Sequence, residues 1–121
     1  MRQTDDPVTE KAKLFAIRII RLYQHLTEEK REFVLSKQIL CSGTSIGANR
    51  AEAVYAFGDK VFLHKNEVAL GECAEVLYWL ELLEATRYIT TKQITSISAD
   101  CGELIKLLVN PSRQKPDSRM V

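Results

Sequence analysis

The sequence predicts an all-α protein that folds as an antiparallel, up-down-up-down four-helix bundle. The prolines lie only near the two ends, so about a hundred residues run without a residue that breaks helices. Within that stretch, four segments repeat apolar residues at helical spacing and are separated by short turns. Long helices joined by short turns are typical of antiparallel bundles.

The length of 121 residues indicates a single domain, 1–121. We expect an ordered bundle over about residues 7–110, with a frayed N-terminus, 1–6, and a disordered polar tail, 111–121.

Asp6-Pro7 predicts the start of the first helix, with aspartate as the N-cap and proline in the first turn. This helix is expected to reach about Leu26, with a core stripe formed by Phe15, Ile19, Leu22 and Leu26. On the opposite side, four bases fall within roughly 80° of one another: Lys11, Arg18, Arg21 and His25. Such a face is either solvated surface or a nucleic-acid-binding surface, and we retain both interpretations.

Thr27, followed by two glutamates, predicts the start of the second helix, which is expected to reach about Tyr55. Five polar residues on this helix follow one another at steps of four and three and so share one line of its surface: Gln38, Ser42, Ser45, Asn49 and Glu52. Gly43 and Gly47 each cost a helix about 1 kcal/mol relative to alanine, which close approach of another helix would offset. The line is interpreted as a hydrogen-bonding seam within the bundle, with a site for a ligand or nucleic acid as the alternative.

Gly58 and Asp59 predict the turn into the third helix, with aspartate as the cap, and this helix is expected over about residues 60–87. Glu72 and Glu75, one turn apart, are expected to face the polar line of the second helix and complete the seam. The apolar arc of this helix is wider than one core requires, which predicts contact with another subunit through Val61, Val68 and Trp79.

Thr90 and Gln93 form a predicted capping box at the start of the fourth helix, which is expected to run to about Val109. Asn110-Pro111 is expected to end it.

The formal net charge of +1 predicts no strong binding to polyanions from composition alone. Three widely spaced cysteines (Cys41, Cys73 and Cys101) predict buried free thiols in a reducing compartment. The sequence shows no leader and no apolar run of membrane-spanning length, so we expect a cytoplasmic protein that does not enter a membrane.

No arrangement of residues predicts an enzyme. A dinuclear metal bundle needs repeated Glu-x-x-His pairs, and this chain has one reversed pair, His64 and Glu67. No nucleophile and base, phosphate-binding loop or redox motif accompanies Glu72 and Glu75. We therefore expect no catalytic residues, no metal and no cofactor.

Three segments resemble the bacterial four-helix-bundle proteins of the 23S rRNA intervening-sequence family: FAIRIIRLYQHL (15–26), SKQILCSGTSIGANRAEA (36–53) and ALGECAEVLYWLELLEATRYI (69–89). The same family includes the accessory variability determinant of diversity-generating retroelements. Arg50 occupies a position that is usually hydrophobic in the family.

The resemblance implies a bundle that assembles into a homopentameric ring without a catalytic site. In the retroelement branch, a basic surface binds nucleic acid. The predicted function is therefore a non-enzymatic scaffold whose main partner is itself, with RNA or DNA as a further partner bound through the first helix. The alternative is an adaptor that binds an unidentified protein partner and no nucleic acid.

Overall fold

The computed structural model describes residues 6–109, which form four helices and no strand. Their bounds are Pro7–Glu28 (α1), Leu35–Val54 (α2), Asp59–Ala85 (α3) and Thr91–Leu108 (α4). Each helix packs against the next along the chain, and α4 packs against α1. The connections are short, so consecutive helices run antiparallel. The predicted four-helix bundle is confirmed.

The predictions for residues 1–5, for the stop at Asn110-Pro111 and for the tail 111–121 lie outside the described residues. Asp6 lies inside them, and the prediction that it belongs to a frayed segment is wrong, because its side chain is 1% exposed. It begins α1 as predicted. Its Oδ2 accepts hydrogen bonds from the backbone N–H of Thr9 at 3.1 Å and from the Thr9 hydroxyl at 2.6 Å.

The predicted boundary between the first two helices is wrong. Thr27 does not cap a helix, because its hydroxyl donates to the Tyr23 carbonyl at 3.0 Å and α1 continues to Glu28. The second helix begins at Leu35, where the carboxylate of Glu32 accepts the backbone N–H groups of Leu35 at 3.0 Å and of Ser36 at 2.7 Å. Burial alone would raise the pKa of Glu32, but these backbone hydrogen bonds hold that pKa below its usual value.

The ends of the other helices follow local sequence more closely. Thr90 forms the predicted capping box with Gln93: the Gln93 N–H donates to the Thr90 hydroxyl, and the Thr90 N–H donates to the Gln93 side chain. Asp59 is the first residue of α3 and not its cap. The cap is Gly58, whose φ of 80° lies in the left-handed region that favours glycine.

The two glycines of α2 lie where α1 comes close, as their spacing predicts. A Cβ added at Gly43 would lie 2.7 Å from the Ile19 side chain, which is closer than carbon atoms can approach. A Cβ added at Gly47 would lie 3.5 Å from the Cβ of Ala12, at ordinary contact distance. The lost helix propensity is therefore offset by close packing of α1 on α2, above all at Gly43.

The core lies between all four helices. On α3 the buried residues alternate at steps of four and three, which is the spacing of a bundle seam: Phe62, Asn66, Ala69, Cys73, Val76, Leu80 and Leu83. The predicted core stripe of α1 is buried throughout.

Candidate functional site

The basic side chains predicted on α1 are partly engaged by α4. Lys11 Nζ lies 2.8 Å from Glu103 Oε2, and this hydrogen bond raises the pKa of Lys11. Arg18 Nη1 lies 2.6 Å from Asp100 Oδ2, and its Nη2 donates to the hydroxyl of Ser96 at 2.7 Å. Two of the four predicted nucleic-acid contacts therefore have carboxylate partners within the bundle.

The other two predicted bases lie apart from this network. Arg21 is exposed on the surface of α1. His25 is half-buried and lines a separate cavity at the end of the bundle, together with Lys30 and Arg87. Nucleic-acid binding through Lys11, Arg18, Arg21 and His25 stays a prediction, and two of these four bases are paired with carboxylates of α4.

The predicted polar seam exists at its centre, where α2 meets α3. Ser42 is 3% exposed, and its hydroxyl donates to the Gln38 carbonyl at 3.0 Å. Trp79 Nε1 donates to the same hydroxyl oxygen at 3.2 Å, and Glu75 Oε1 lies 3.5 Å from it. The Ser42 hydroxyl of α2 therefore links the two helices through hydrogen bonds with Trp79 and Glu75 of α3.

Glu72 is half-buried beside this point and lies one turn from Glu75 on α3. Burial raises the pKa of Glu72, as do the negative charge of Glu75 and the hydrogen bond between the two carboxyl groups, whereas a hydrogen bond to Ser45 lowers it. A carboxylate beside a second carboxylate binds a proton more readily than an isolated carboxylate does. The pair connects α3 to α2 through Ser45.

The ends of the predicted seam lie in water. Gln38, Glu52 and Glu75 are exposed, and Asn49 is half-buried, with its side-chain amide donating to the Ser45 carbonyl of its own helix at 2.9 Å. Glu52 pairs with Lys65 of α3 at 2.7 Å. The line is therefore buried or half-buried from Ser42 to Asn49, whereas Gln38 and Glu52 at its two ends are exposed.

The residues predicted to contact another subunit differ in exposure. Val61 is 46% exposed, whereas Val68 and Trp79 are half-buried. The indole of Trp79 donates to Ser42, and the ring of Tyr78 meets it edge-on at 5.1 Å between centroids. Trp79 is thus held within the α2–α3 contact of its own chain, and Tyr78 beside it is 53% exposed.

An apolar surface that the sequence interpretation missed lies on α1. Leu14, Ile17 and Ile20 are 58%, 42% and 39% exposed, and the exposed bases Lys13 and Arg21 lie among them. We call these five residues the α1 outer face. The signal was available, because Ile17 lies nearly opposite the core stripe on a helical wheel.

A buried charged cluster was also missed. Arg50, about a third of a turn from the polar line, is fully buried and pairs with Asp6 at 2.7 Å and with Asn66 at 2.8 Å. Its guanidinium carbon also lies 5.1 Å from the centre of the Phe62 ring. The cluster joins the start of α1 to α2 and α3, which identifies it as a structural element and not a surface site.

The cysteines include a buried pair and one exposed thiol. Cys73 and Cys101 are buried on facing helices, with Cys101 Sγ 3.5 Å from the Cys73 carbonyl oxygen. Cys41 is exposed, so the prediction that all three thiols are buried is wrong for it. Residues 6–109 contain no group of three potential metal ligands.

No helix between residues 6 and 109 combines the length and apolar character that a membrane span requires.

Comparison with known proteins settles the family. Residues 4–110 match the family described as 23S rRNA-intervening sequence protein. The chain belongs to this family. A solved member of the S23 ribosomal protein family from Bacteroides thetaiotaomicron, itself described as of unknown function, is 50% identical and superposes with a TM-score of 0.84. The match covers 90% of this chain and 99% of that one. No curated protein matches the sequence.

Proposed function

We propose that the protein is a non-enzymatic scaffold that assembles with copies of itself, with the α1 outer face of one copy packed against α3 of the next. The observation that carries this proposal is the exposure of three aliphatic side chains on one surface of α1: Leu14, Ile17 and Ile20. Clustered exposed apolar residues with a polar rim mark protein interaction surfaces.

The outward surface of α3 carries small exposed residues that would let such a ridge approach closely. Gly71 and Ala74 are exposed, and a Cβ added at Gly71 would meet nothing within 4 Å, so the space in front of it is open. Tyr78, one turn further along, supplies an exposed aromatic ring. Small residues beside an aromatic one let a second helix approach closely and bury its side chains.

The charges of the two surfaces are complementary. Lys13 and Arg21 border the apolar residues of α1, while the exposed acids Glu67 and Glu81 border Gly71 and Ala74 on α3. We call Glu67, Gly71, Ala74, Tyr78 and Glu81 the α3 outer face. Contact between two different faces is heterologous, and repetition of such a contact produces a closed ring when the rotation fits. The pentamer implied by the family resemblance is such a ring.

Light scattering of the purified chain at micromolar concentration tests the assembly. We expect the wild type to form a discrete oligomer and the Ile17→Glu variant to have the monomer mass of 13.8 kDa. Val34→Glu is the matched control, because Val34 is 70% exposed in the connection between α1 and α2, away from both outer faces. A wild type of monomer mass, or equal effects of the two substitutions, would contradict the proposal.

Charge reversal tests which faces meet. One variant carries Lys13→Glu and Arg21→Glu, and a second carries Glu67→Lys and Glu81→Lys. Each variant alone is expected to assemble poorly, because like charges face each other across the contact. An equimolar mixture is expected to form mixed dimers and longer alternating chains, because the unaltered α3 outer face of the first variant and the unaltered α1 outer face of the second carry opposite charges. A ring of five cannot close from two alternating variants, so the mass of the mixture is compared with that of each variant alone. Failure of the mixture to assemble would reject the pairing of α1 with α3.

The other roles inferred from the sequence stay predictions. Binding of RNA or DNA along α1 depends on Lys11 and Arg18, whose partners on α4 reduce the charge available to phosphates. The adaptor function would use the α1 outer face for a different protein. A monomeric wild type would favour that alternative over self-assembly.

A further inference from the structure

A concave cavity of about 560 Å³ lies at the end of the bundle where α1 ends and α4 begins. Three basic residues line it, and they come from three separate segments: His25 from the last turn of α1, Lys30 from the connection to α2, and Arg87 from the connection between α3 and α4. Among residues 6–109, Glu84 is the one acid in the lining. The volume lies in the range of small-molecule pockets.

The two strong bases of this cavity are not used by the bundle itself. The ion pairs formed within residues 6–109 involve Lys11, Arg18, Arg50 and Lys65, and none involves Lys30 or Arg87. Both side chains are exposed at the cavity. The lining therefore offers positive charge that no neighbouring carboxylate holds in a salt bridge.

Arg87 occupies a backbone position where glycine is the usual residue. Its φ is 68°, in the left-handed region, immediately after the C-cap of α3. The N–H of Tyr88 donates to the Leu83 carbonyl and the N–H of Arg87 to the Glu84 carbonyl, both at 2.9 Å. This hydrogen-bond pattern is a Schellman motif, whose left-handed residue is most often glycine. The left-handed backbone conformation therefore does not explain why this position holds arginine and not glycine.

Arg31 has the same conformation in the neighbouring connection, with φ at 55°. Its guanidinium lies 5.9 Å from the centre of the Phe33 ring, and it does not line the cavity. Because two arginines share this conformation, the backbone alone does not mark a ligand site, and what distinguishes Arg87 is its place in the cavity lining. Arg31 therefore serves as a natural comparison for Arg87, with equal backbone cost but a different position.

We propose that this cavity binds a phosphate monoester, with Lys30 and Arg87 contacting the phosphate oxygens and the His25 ring as a further hydrogen-bond donor. A guanidinium binds two phosphate oxygens at once, and an ammonium adds a point charge beside it. The Thr90 and Thr91 side chains complete the polar wall. Such a phosphate is carried by a free nucleotide or by the 5′ end of a nucleic acid, which are two sources of one chemistry.

Isothermal titration of the full chain with a nucleoside monophosphate, and with a short single-stranded oligonucleotide bearing a 5′-phosphate, tests the site. The control ligands are the corresponding nucleoside and the same oligonucleotide with a 5′-hydroxyl. We expect the phosphorylated form of at least one pair to bind at least tenfold more tightly than its control. Equal affinity with and without the phosphate in both pairs would overturn the proposal. Whichever phosphorylated ligand binds more tightly identifies the source.

Two glycine variants separate binding from folding. Arg87→Gly and Arg31→Gly both relieve a left-handed residue, so both are expected to keep or raise the melting temperature. Arg87→Gly is expected to weaken phosphate binding at least tenfold, and Arg31→Gly to change it less than twofold. Glu84→Gln is expected to strengthen binding severalfold, because it removes a negative charge from the lining. Equal behaviour of the two glycine variants would reject the assigned cavity. None of these results depends on self-assembly.

Discussion

Arg50 and Asp6 form a buried two-point ion pair between positions 44 residues apart in the sequence. Arg50 Nε lies 2.7 Å from Asp6 Oδ2, and Nη2 lies 3.0 Å from Oδ1. The same carboxylate caps α1 through Thr9, and the same guanidinium donates to Asn66 of α3. One carboxylate therefore fixes the start of α1 against two other helices.

Removal of the guanidinium should leave the Asp6 carboxylate buried without its cation. Arg50→Met is expected to lower the free energy of unfolding by about 3–5 kcal/mol, because an unpaired buried charge is costly. Lys65→Met is the control, since it breaks the more exposed pair with Glu52 and should cost less than about 1 kcal/mol. Urea denaturation at pH 7 measures both, and similar losses for the two variants would contradict the importance of burial.

The same ion pair predicts a dependence of stability on acid pH. Burial would raise the pKa of Asp6, but hydrogen bonds from Arg50 and Thr9 and the positive charge of Arg50 together lower the pKa below its usual value. A lowered carboxyl pKa stabilises the folded state above the unfolded pKa of about 4, and this contribution is lost as the pH falls further. Denaturation midpoints between about pH 6 and 2 should therefore fall more steeply for the wild type than for Asp6→Asn. Parallel curves would show that Asp6 does not contribute.

The two glycines of α2 should respond to alanine in opposite directions. Gly43→Ala places a methyl group 2.7 Å from the Ile19 side chain and should destabilise the protein by about 1–3 kcal/mol. Gly47→Ala places it at contact distance from Ala12 and should stabilise by up to about 1 kcal/mol through helix propensity. Thermal unfolding of both variants checks this, and a stabilising Gly43→Ala would show that α1 moves aside freely.

The parts of the fold that depend on neighbours in sequence were predictable. The Asp6 cap and the Thr90 capping box follow from local patterns, and the two glycines of α2 predicted close approach of another helix without identifying it as α1. The start of α2 at Leu35 could not be predicted in this way, because Thr27 and the two glutamates that follow it match the local pattern of a helix N-cap better than the residues before Leu35 do. Glu32, which lies in the irregular connection, instead accepts hydrogen bonds from the first backbone N–H groups of α2. No simple spacing rule describes this arrangement.

The candidate sites depended on relations between distant helices. Arg50 looked like an interruption of an apolar face, because nothing in its surroundings along the chain indicates that Asp6 reaches it. Lys11 and Arg18 looked like free bases in the sequence. The sequence alone does not show that the register of α4 places Glu103 and Asp100 beside them. A helical wheel gives the face of a residue but not the charge of the helix opposite.

The Glu72–Glu75 pair predicts a variant that is more stable than the wild type at neutral pH. Burial, the charge of Glu75 and their mutual hydrogen bond raise the pKa of Glu72, so the folded state favours the protonated carboxyl group. The stabilising contribution of the protonated Glu72 carboxyl group is fully present below the pKa of glutamate in the unfolded chain, about 4.3. This contribution is lost as the pH rises through the pKa of Glu72 in the folded protein.

Glu72→Gln, which resembles the protonated acid, should therefore stabilise the protein at pH 7 by less than about 1 kcal/mol, since the pair is partly exposed. The gain should disappear below about pH 4, where the wild-type carboxyl is also protonated. Glu28→Gln, at the exposed end of α1 and outside both outer faces, is the control and should change stability little at either pH. Urea denaturation at the two pH values measures the difference. An equal gain at both pH values would show that the glutamine acts through packing and that Glu72 is not held in an unfavourable charged state.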